Sequence, residues 1–330
     1  MAVTISDIAA RVGVTKATVS LVLNGKASPV RISQRTRERV LSAARELNYR
    51  PSFPAKALAE GRTWSLGLVI GDVHTPHFSE LASIALREAS ERGYHLLISV
   101  TEWDADKELE CVDLLLQRGV DGILMCTGAL APGTRQYEYM VRHNFPVVLT
   151  EREDPVLPNI RVDWSSGMLE AIAHLTSRQR RRAAFVGQAD VDKSTYLKHL
   201  GYLAACRAHR IEPIAYDCSV HIEDARQLGL RIGQEENPPQ AVIVYSDYLA
   251  AGVIRGLRQA GRHIPDDVAV VGMDGTDMGA YGHLPLTSIA TDRRQLAVRG
   301  VEMLLEMIDS GSIKTDQIVL PTKLIVRESA

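Results

Sequence analysis

The sequence predicts an α/β protein: an N-terminal three-helix head with a helix-turn-helix, a hinge, and then two doubly wound parallel-sheet subdomains. Three observations carry this. Helix-capping signals crowd into residues 4–47. A segment with two prolines, PSFPAKALAEGR, follows at 51–62. Beyond it, short apolar runs alternate with amphipathic stretches along the rest of the chain. The boundaries are therefore 1–50 for the head, 51–62 for the hinge or linker, and 63–330 for the body. At roughly 100–200 residues per domain, 330 residues hold two or three such units.

In the head, Thr4-Ile-Ser-Asp7 has the form of a capping box, and Ile8, Ala9 and Val12 then share one face. Gly13 allows a turn. Thr15 can cap a second helix running from Lys16 to Leu23, and Ser33 can cap a third with the stripe Val40, Leu41, Ala44 and Leu47. On the second helix, Ala17, Thr18, Ser20, Leu21 and Asn24 face outward while Val19, Val22 and Leu23 pack inward. Such a short, exposed helix fits the major groove of DNA with its N-terminal residues nearest the base edges. Thr, Ser and Asn can bond phosphates or bases, and Lys16 adds charge at the groove edge. A small protein-binding module would show the same pattern.

In the body, SLGLVIG, HLLISV, GILMCT and PVVLT alternate with helices near 79–93, 107–118 and 135–143. The rhythm resumes with AAFVG, AVIVYS and VAVVGMD as buried strands. Two series of similar length imply two similar subdomains with a cleft between them, and ligands in such sheets sit beyond the C-terminal strand ends.

Charge supports the division. Residues 1–62 hold eleven Lys/Arg against four Asp/Glu, whereas the rest is acidic, although the whole chain is only −2. A basic head on an acidic body suits a nucleic-acid surface on a carrier. Cys111, Cys126, Cys206 and Cys218 fit neither a metal knuckle nor a redox pair, and are expected in the core of a reduced, cytoplasmic protein. No signal peptide or membrane span is expected.

The run TISDIAARVGVTKATVSLVLNGK with ISQRTRERVLSAARELNYRPS closely resembles the lactose-repressor (LacI/GalR) family of bacterial regulators. SLGLVIGDVHTPHFSEL, GVDGIL, FPVVLTER, IPDDVAVVGMD, PLTSI and LPTKLIVRES stand in family order, so the resemblance spans the chain. It implies a periplasmic-binding-protein-like body that binds a small molecule, most simply a sugar, and forms a homodimer on a pseudo-palindromic operator. The absence of a heptad tail after LIVRESA favours a dimer over a tetramer. No cofactor and no metal are implied. Lys16, Ala17, Ser20, Leu21 and Asn24 match the groove-facing positions. Leu21 stands where many members have an Arg, so apolar contact to a thymine methyl replaces a two-bond reading of guanine. Thr4, Thr15, Thr18 and Ser33 complete the expected DNA-contacting set on the head. In the linker, Leu58 matches the leucine that wedges into the minor groove, with Lys56 where Arg is common. Packing of Leu58 against the body is the other reading. The loop Gly25–Ile32 is about two residues longer than usual.

Sugar clefts use carboxylates to accept hydroxyl hydrogen bonds and aromatic faces to stack the ring. Asp72, Asp247 and Asp274 stand at family ligand positions after strands, although a strand-end Asp also serves as a helix cap. Phe78, Trp103 and Trp164 offer stacking faces or ordinary core packing. Lys198 replaces a usual Arg and cannot reproduce its bidentate fork. Arg178–Arg182 replaces the usual Gly-His-Arg-Arg and is expected to be a solvated helix end. The competing classes are a transport binding protein, disfavoured by the basic head and missing leader, and an enzyme. The chain has no G-x-S-x-G, G-x-G-x-x-G or phosphate-loop motif.

Overall fold

A computed structural model describes residues 3–24, 32–49, 57, 61–188, 195–312 and 316–330. The chain divides into two compact units, Met1–Thr63 and Trp64–Ala330.

The first unit holds α1 (Ile5–Val12), α2 (Lys16–Asn24) and α3 (Gln34–Glu46). Each begins where a side chain can satisfy orphan N–H groups. The Thr4 amide and hydroxyl both donate to the Asp7 carboxylate at 2.8 Å, the Thr18 amide donates to the Thr15 hydroxyl at 3.2 Å, and the Thr36 amide donates to Ser33 at 3.2 Å. Gly13 ends α1 in the left-handed region at φ 71°, where a Cβ would be strained. Ile8, Ala9, Val12, Val19, Val22, Val40, Ala43 and Ala44 form the core. One expectation is corrected: Leu41 is 39% exposed and Ala43 takes its place. The α3 stripe follows i, i+3, i+4 from Val40, so position 41 turns away from the other two helices.

The second unit is built on two six-stranded sheets of parallel strands, apart from one antiparallel edge. The first sheet has the order β11-β5-β4-β3-β1-β2: β1 (Ser65–Ile70), β2 (His95–Val100), β3 (Gly122–Met125), β4 (Val147–Thr150), β5 (Asn159–Asp163) and β11 (Gln317–Pro321). The helices α4 (Pro76–Glu91), α5 (Ala105–Gln117) and α6 (Arg135–His143) connect it. The second sheet has the order β12-β10-β9-β8-β6-β7: β6 (Ala183–Val186), β7 (Ile214–Tyr216), β8 (Ala241–Val244), β9 (Ala269–Asp274), β10 (Thr287–Ala290) and β12 (Lys323–Ile325). Its helices are α7 (Trp164–Ser177), α8 (Thr195–His209), α9 (Ile222–Gln234), α10 (Asp247–Gln259) and α11 (Asp277–Tyr281).

The chain crosses between the sheets three times. It passes from β5 into α7, from β10 into α12 (Arg293–Ser310), and from β11 into β12. Helix α12 packs on α4, β3 and β4 of the first sheet, so neither subdomain is a continuous stretch of chain.

Central strands are apolar on both faces: β1, β3, β4, β6, β8, β9 and β10 are buried throughout. Such runs are what helices on both sides of a parallel sheet demand. The edge strand β2 instead leaves Leu97 and Ile98 exposed. Cys126, Cys206 and Cys218 are buried and Cys111 is half-buried, all as free thiols. The basic run is not simply solvated. Arg180 donates to the carbonyls of Gln240 and Asp266, Arg181 to that of His209, and Arg182 to that of Asn237. These contacts tie the end of α7 to the base of the second sheet.

Candidate functional site

The head presents α2. Lys16 and Ala17 are exposed, and Thr18, Ser20 and Leu21 are half-buried, while Val19 and Val22 are buried. The outward face is thus the one read from the sequence. Thr4, Thr15 and Ser33 all serve as helix caps, at positively polarised helix N-termini that suit phosphate. Arg39 crosses from α3 to the Val12 carbonyl at 2.6 Å and fixes the angle between α1 and α3. Lys56, Leu58 and most of the loop after Asn24 lie outside the described residues, and the Asn24 side chain does too.

In the second unit a cavity opens between the C-terminal ends of the two sheets, where ligands of doubly wound sheets bind. Asp72, His77, Phe78, Trp103 and Glu151 line it from one subdomain, and Trp164, Lys198, Tyr245, Tyr248 and Asp274 from the other. Five of the six expected effector residues therefore meet here: Asp72, Phe78, Trp164, Lys198 and Asp274.

Asp247 does not. It is fully buried behind the wall, where its carboxylate accepts the Thr276 amide at 2.6 Å, the Thr276 hydroxyl at 2.8 Å and the Ser288 hydroxyl at 2.6 Å. Burial, and then the charge of Asp274, push it up to about 6. Ser288 in turn accepts the Gly275 amide at 3.0 Å. Asp247 thus anchors the loop that carries Asp274. Sequence placed it correctly at a strand end, but the first turn of α10 aims it away from the cleft.

Asp274 sits on that loop at φ 101°, in a conformation few non-glycine residues adopt. Glu102, Trp103 and Glu151, which also follow cleft-facing strands, share positive φ. Three of these residues, Trp103, Glu151 and Asp274, line the cavity. Asp274 accepts from the Lys198 ammonium at 3.0 Å, and Lys198 also donates to the Tyr245 carbonyl at 2.8 Å. The ammonium lies 4.3 Å from the centre of the Trp164 ring and 5.6 Å from that of Tyr245, so aromatic faces replace part of its hydration.

Across the cavity Asp72 accepts the amides of His74 and Thr75, the Thr75 hydroxyl, and the Trp103 indole N–H at 3.2 Å. It caps the entry to α4 and orients Trp103, which packs edge-on to Phe78 with ring centres 5.4 Å apart. The close approach of Trp103 needs Gly71, whose added Cβ would lie 2.6 Å from the ring.

His77 and Glu151 were not singled out in the sequence. His77 Nε2 lies 3.1 Å from Glu151, and its Nδ1 is buried without a described partner. Burial alone lowers a histidine, but the charge and hydrogen bond of Glu151, helped by Asp274, hold His77 above its ordinary value. Burial raises Glu151, yet His77, Lys198 and Arg293 hold it below. The pair is therefore charged. The histidine contribution is complete below pH 6.5 and is lost as pH rises through its raised value. The glutamate contribution is present above pH 4.5 and is lost as pH falls through its lowered value. A His77→Gln variant should therefore melt furthest below the parent between these two pH values, and the gap should narrow in alkaline buffer. Thermal melts across pH measure this, and a gap independent of pH would refute the charged pair. A Thr-Glu after a strand was the available signal, but a strand-end Glu is too common to stand out.

Comparison with known proteins agrees with both units. The profile of bacterial regulatory proteins of the lacI family matches residues 4–52, and that of the periplasmic binding protein-like domain matches 172–330. The HTH-type transcriptional regulator DegA of Bacillus subtilis is 31% identical, covering 100% of this chain and 98% of its own. The ribose operon repressor of Halalkalibacterium halodurans is 29% identical over 99% and 96%. The Lac repressor dimer bound to operator and the anti-inducer ONPF superposes with a TM-score of 0.86 at 24% identity, over 100% of this chain and 99% of that one. Among the described residues no helix is long and apolar enough to cross a membrane. The chain belongs to the LacI family of bacterial transcriptional regulators.

Proposed function

We propose that this protein is a ligand-gated repressor of carbohydrate-uptake or catabolic genes. It acts in the cytoplasm as a homodimer whose two heads read the halves of a pseudo-palindromic operator. A small polyhydroxylated molecule, a sugar, enters the cleft and changes the closure of the subdomains. By linkage, ligand and operator then shift each other's affinity by the same factor.

One observation carries this reading. On a chain that also bears a helix-turn-helix, carboxylates and aromatic faces converge on a cavity at the strand ends. The names of the relatives, among them a ribose operon repressor, point the same way. No turnover is expected, because the groups around the cavity are bound to one another as ion pairs and caps rather than arranged as a nucleophile with its base.

The test is fluorescence anisotropy on operators selected from random duplexes, with and without a sugar panel. Specific binding that a sugar weakens or strengthens supports the proposal, and a lack of specific binding overturns it. In the same assay a Leu58→Ala variant should bind operator at least tenfold more weakly, since a wedge residue pays for a kink that no other contact replaces. Full-strength binding would refute the wedge.

A further inference from the structure

We propose that the effector is an uncharged polyhydroxylated ring, and that its phosphorylated or carboxylated counterparts are rejected. This inference rests on the sugar-gated reading above and narrows it by charge.

Three carboxylates line the cavity, Asp72, Glu151 and Asp274, against Lys198 and His77. Both cations are engaged by the protein itself. Lys198 is bonded to Asp274 at 3.0 Å and covered by two aromatic faces, and His77 is bonded to Glu151 at 3.1 Å. A nearby guanidinium, Arg293, is held by Glu80 at 2.8 Å and by the carbonyls of Asp274 and Gly275. A phosphate would have to break one of these pairs, or lie beside a carboxylate in a site shielded from water. Unfavourable charge juxtaposition of that kind weakens binding and selects against the charged ligand.

Helix N-termini are the other common anion seats. Three of those around this cavity are already filled by the chain's own oxygens. Asp72 takes the amides of His74 and Thr75 ahead of α4. Ser246 accepts the Leu249 amide at the start of α10. The Thr276 amide before α11 goes to Asp247, and the Gly279 amide goes to the Thr276 hydroxyl.

The remaining surface suits a neutral ring. Trp103, which is exposed, and Tyr248, which is half-buried, supply flat apolar faces. Asp274 has a second carboxylate oxygen able to accept hydroxyl hydrogen bonds, and carboxylates accept without donating. A molecule that is all hydroxyls and C–H faces meets both needs without bringing charge. Phosphorylating it on any hydroxyl would end the signal, so a kinase acting on the sugar is the class of reaction that would remove the effector from this regulator.

The test is titration calorimetry on the full-length protein with matched pairs: ribose and ribose 5-phosphate, glucose and glucose 6-phosphate, fructose and fructose 1-phosphate, and glucose with gluconate. Quenching of Trp103 and Trp164 by inorganic phosphate, against chloride at equal ionic strength, is the second arm. Binding is expected only from the neutral members, with each charged counterpart weaker by roughly 100-fold or more, and inorganic phosphate is expected to cause no saturable quenching. A phosphorylated or carboxylated compound that binds as tightly as its neutral partner overturns the proposal, and so does saturable phosphate binding that a neutral sugar displaces. If no sugar of either kind binds, the sugar-gated reading falls, while the phosphate arm still decides whether the cavity refuses anions.

Discussion

An Asp274→Asn variant is expected to keep specific operator binding and lose the response to effector. The carboxylate is 2% exposed and is bonded on one oxygen to Lys198, which leaves the other for ligand hydroxyls. An amide placed there keeps one acceptor but turns the other position into a donor, and it removes the charge that strengthens each hydroxyl bond. Hydrogen bonds to charged groups contribute about 1.5–3 kcal/mol each, so the loss of one corresponds to roughly 10- to 100-fold in effector affinity. The head is a separate unit with its own core, and its fold does not draw on Asp274. Anisotropy titrations of operator, with effector as the second variable, check the expectation. A variant that still responds at the parent's effector concentration would remove Asp274 from the site.

The second large effect is on stability. Helices α9 and α10 pack backbone to backbone through Gly229 on one and Gly252 and Gly256 on the other. A Cβ added at Gly256 would lie 2.0 Å from the Arg226 carbonyl oxygen and 2.5 Å from the Leu230 nitrogen. Main-chain atoms of a helix cannot rotate away, so the two helices would have to separate. Alanine is worth about 1 kcal/mol over glycine as a helix former. Overpacking of about 3 kcal/mol or more outweighs that gain when the obstacle is backbone. Gly256→Ala should therefore lower the unfolding midpoint of the second unit. Gly233→Ala should cost less, because its nearest obstacles are the Ala260 methyl and the Arg262 side chain. Calorimetric melts of both variants test the order, and equal losses would show that the closeness of approach is not what matters.

Much of the molecule was legible in the chain because it depends on local spacing. The caps at Thr4, Thr15 and Ser33 and the inward stripe Val19–Val22 follow from 3.6-residue periodicity and the need to satisfy helix-end amides. The resemblance, carried by runs in family order from the head to LPTKLIVRES, located Asp72, Lys198 and Asp274 before any geometry did. The short strands β5, β7, β10, β11 and β12 were not read from pattern. They are three residues long or include polar residues, and so lack the continuous apolar run that marked AAFV and AVIV.

What the sequence by itself determined is the pair of units and the side on which each works: a capped three-helix head that presents α2, and a doubly wound body whose strand ends meet at a cleft. Only the tertiary structure decided how the cleft residues are used. Asp247 and Asp274 both follow a strand, yet one is turned into the wall to hold the loop and the other into the cavity. Lys198 acquires Asp274 and two aromatic faces from segments far away in the chain, and His77 finds Glu151 from another strand end. These partnerships set the charge a ligand meets. They depend on long-range packing and on the direction of individual Cα–Cβ bonds, which periodicity does not encode.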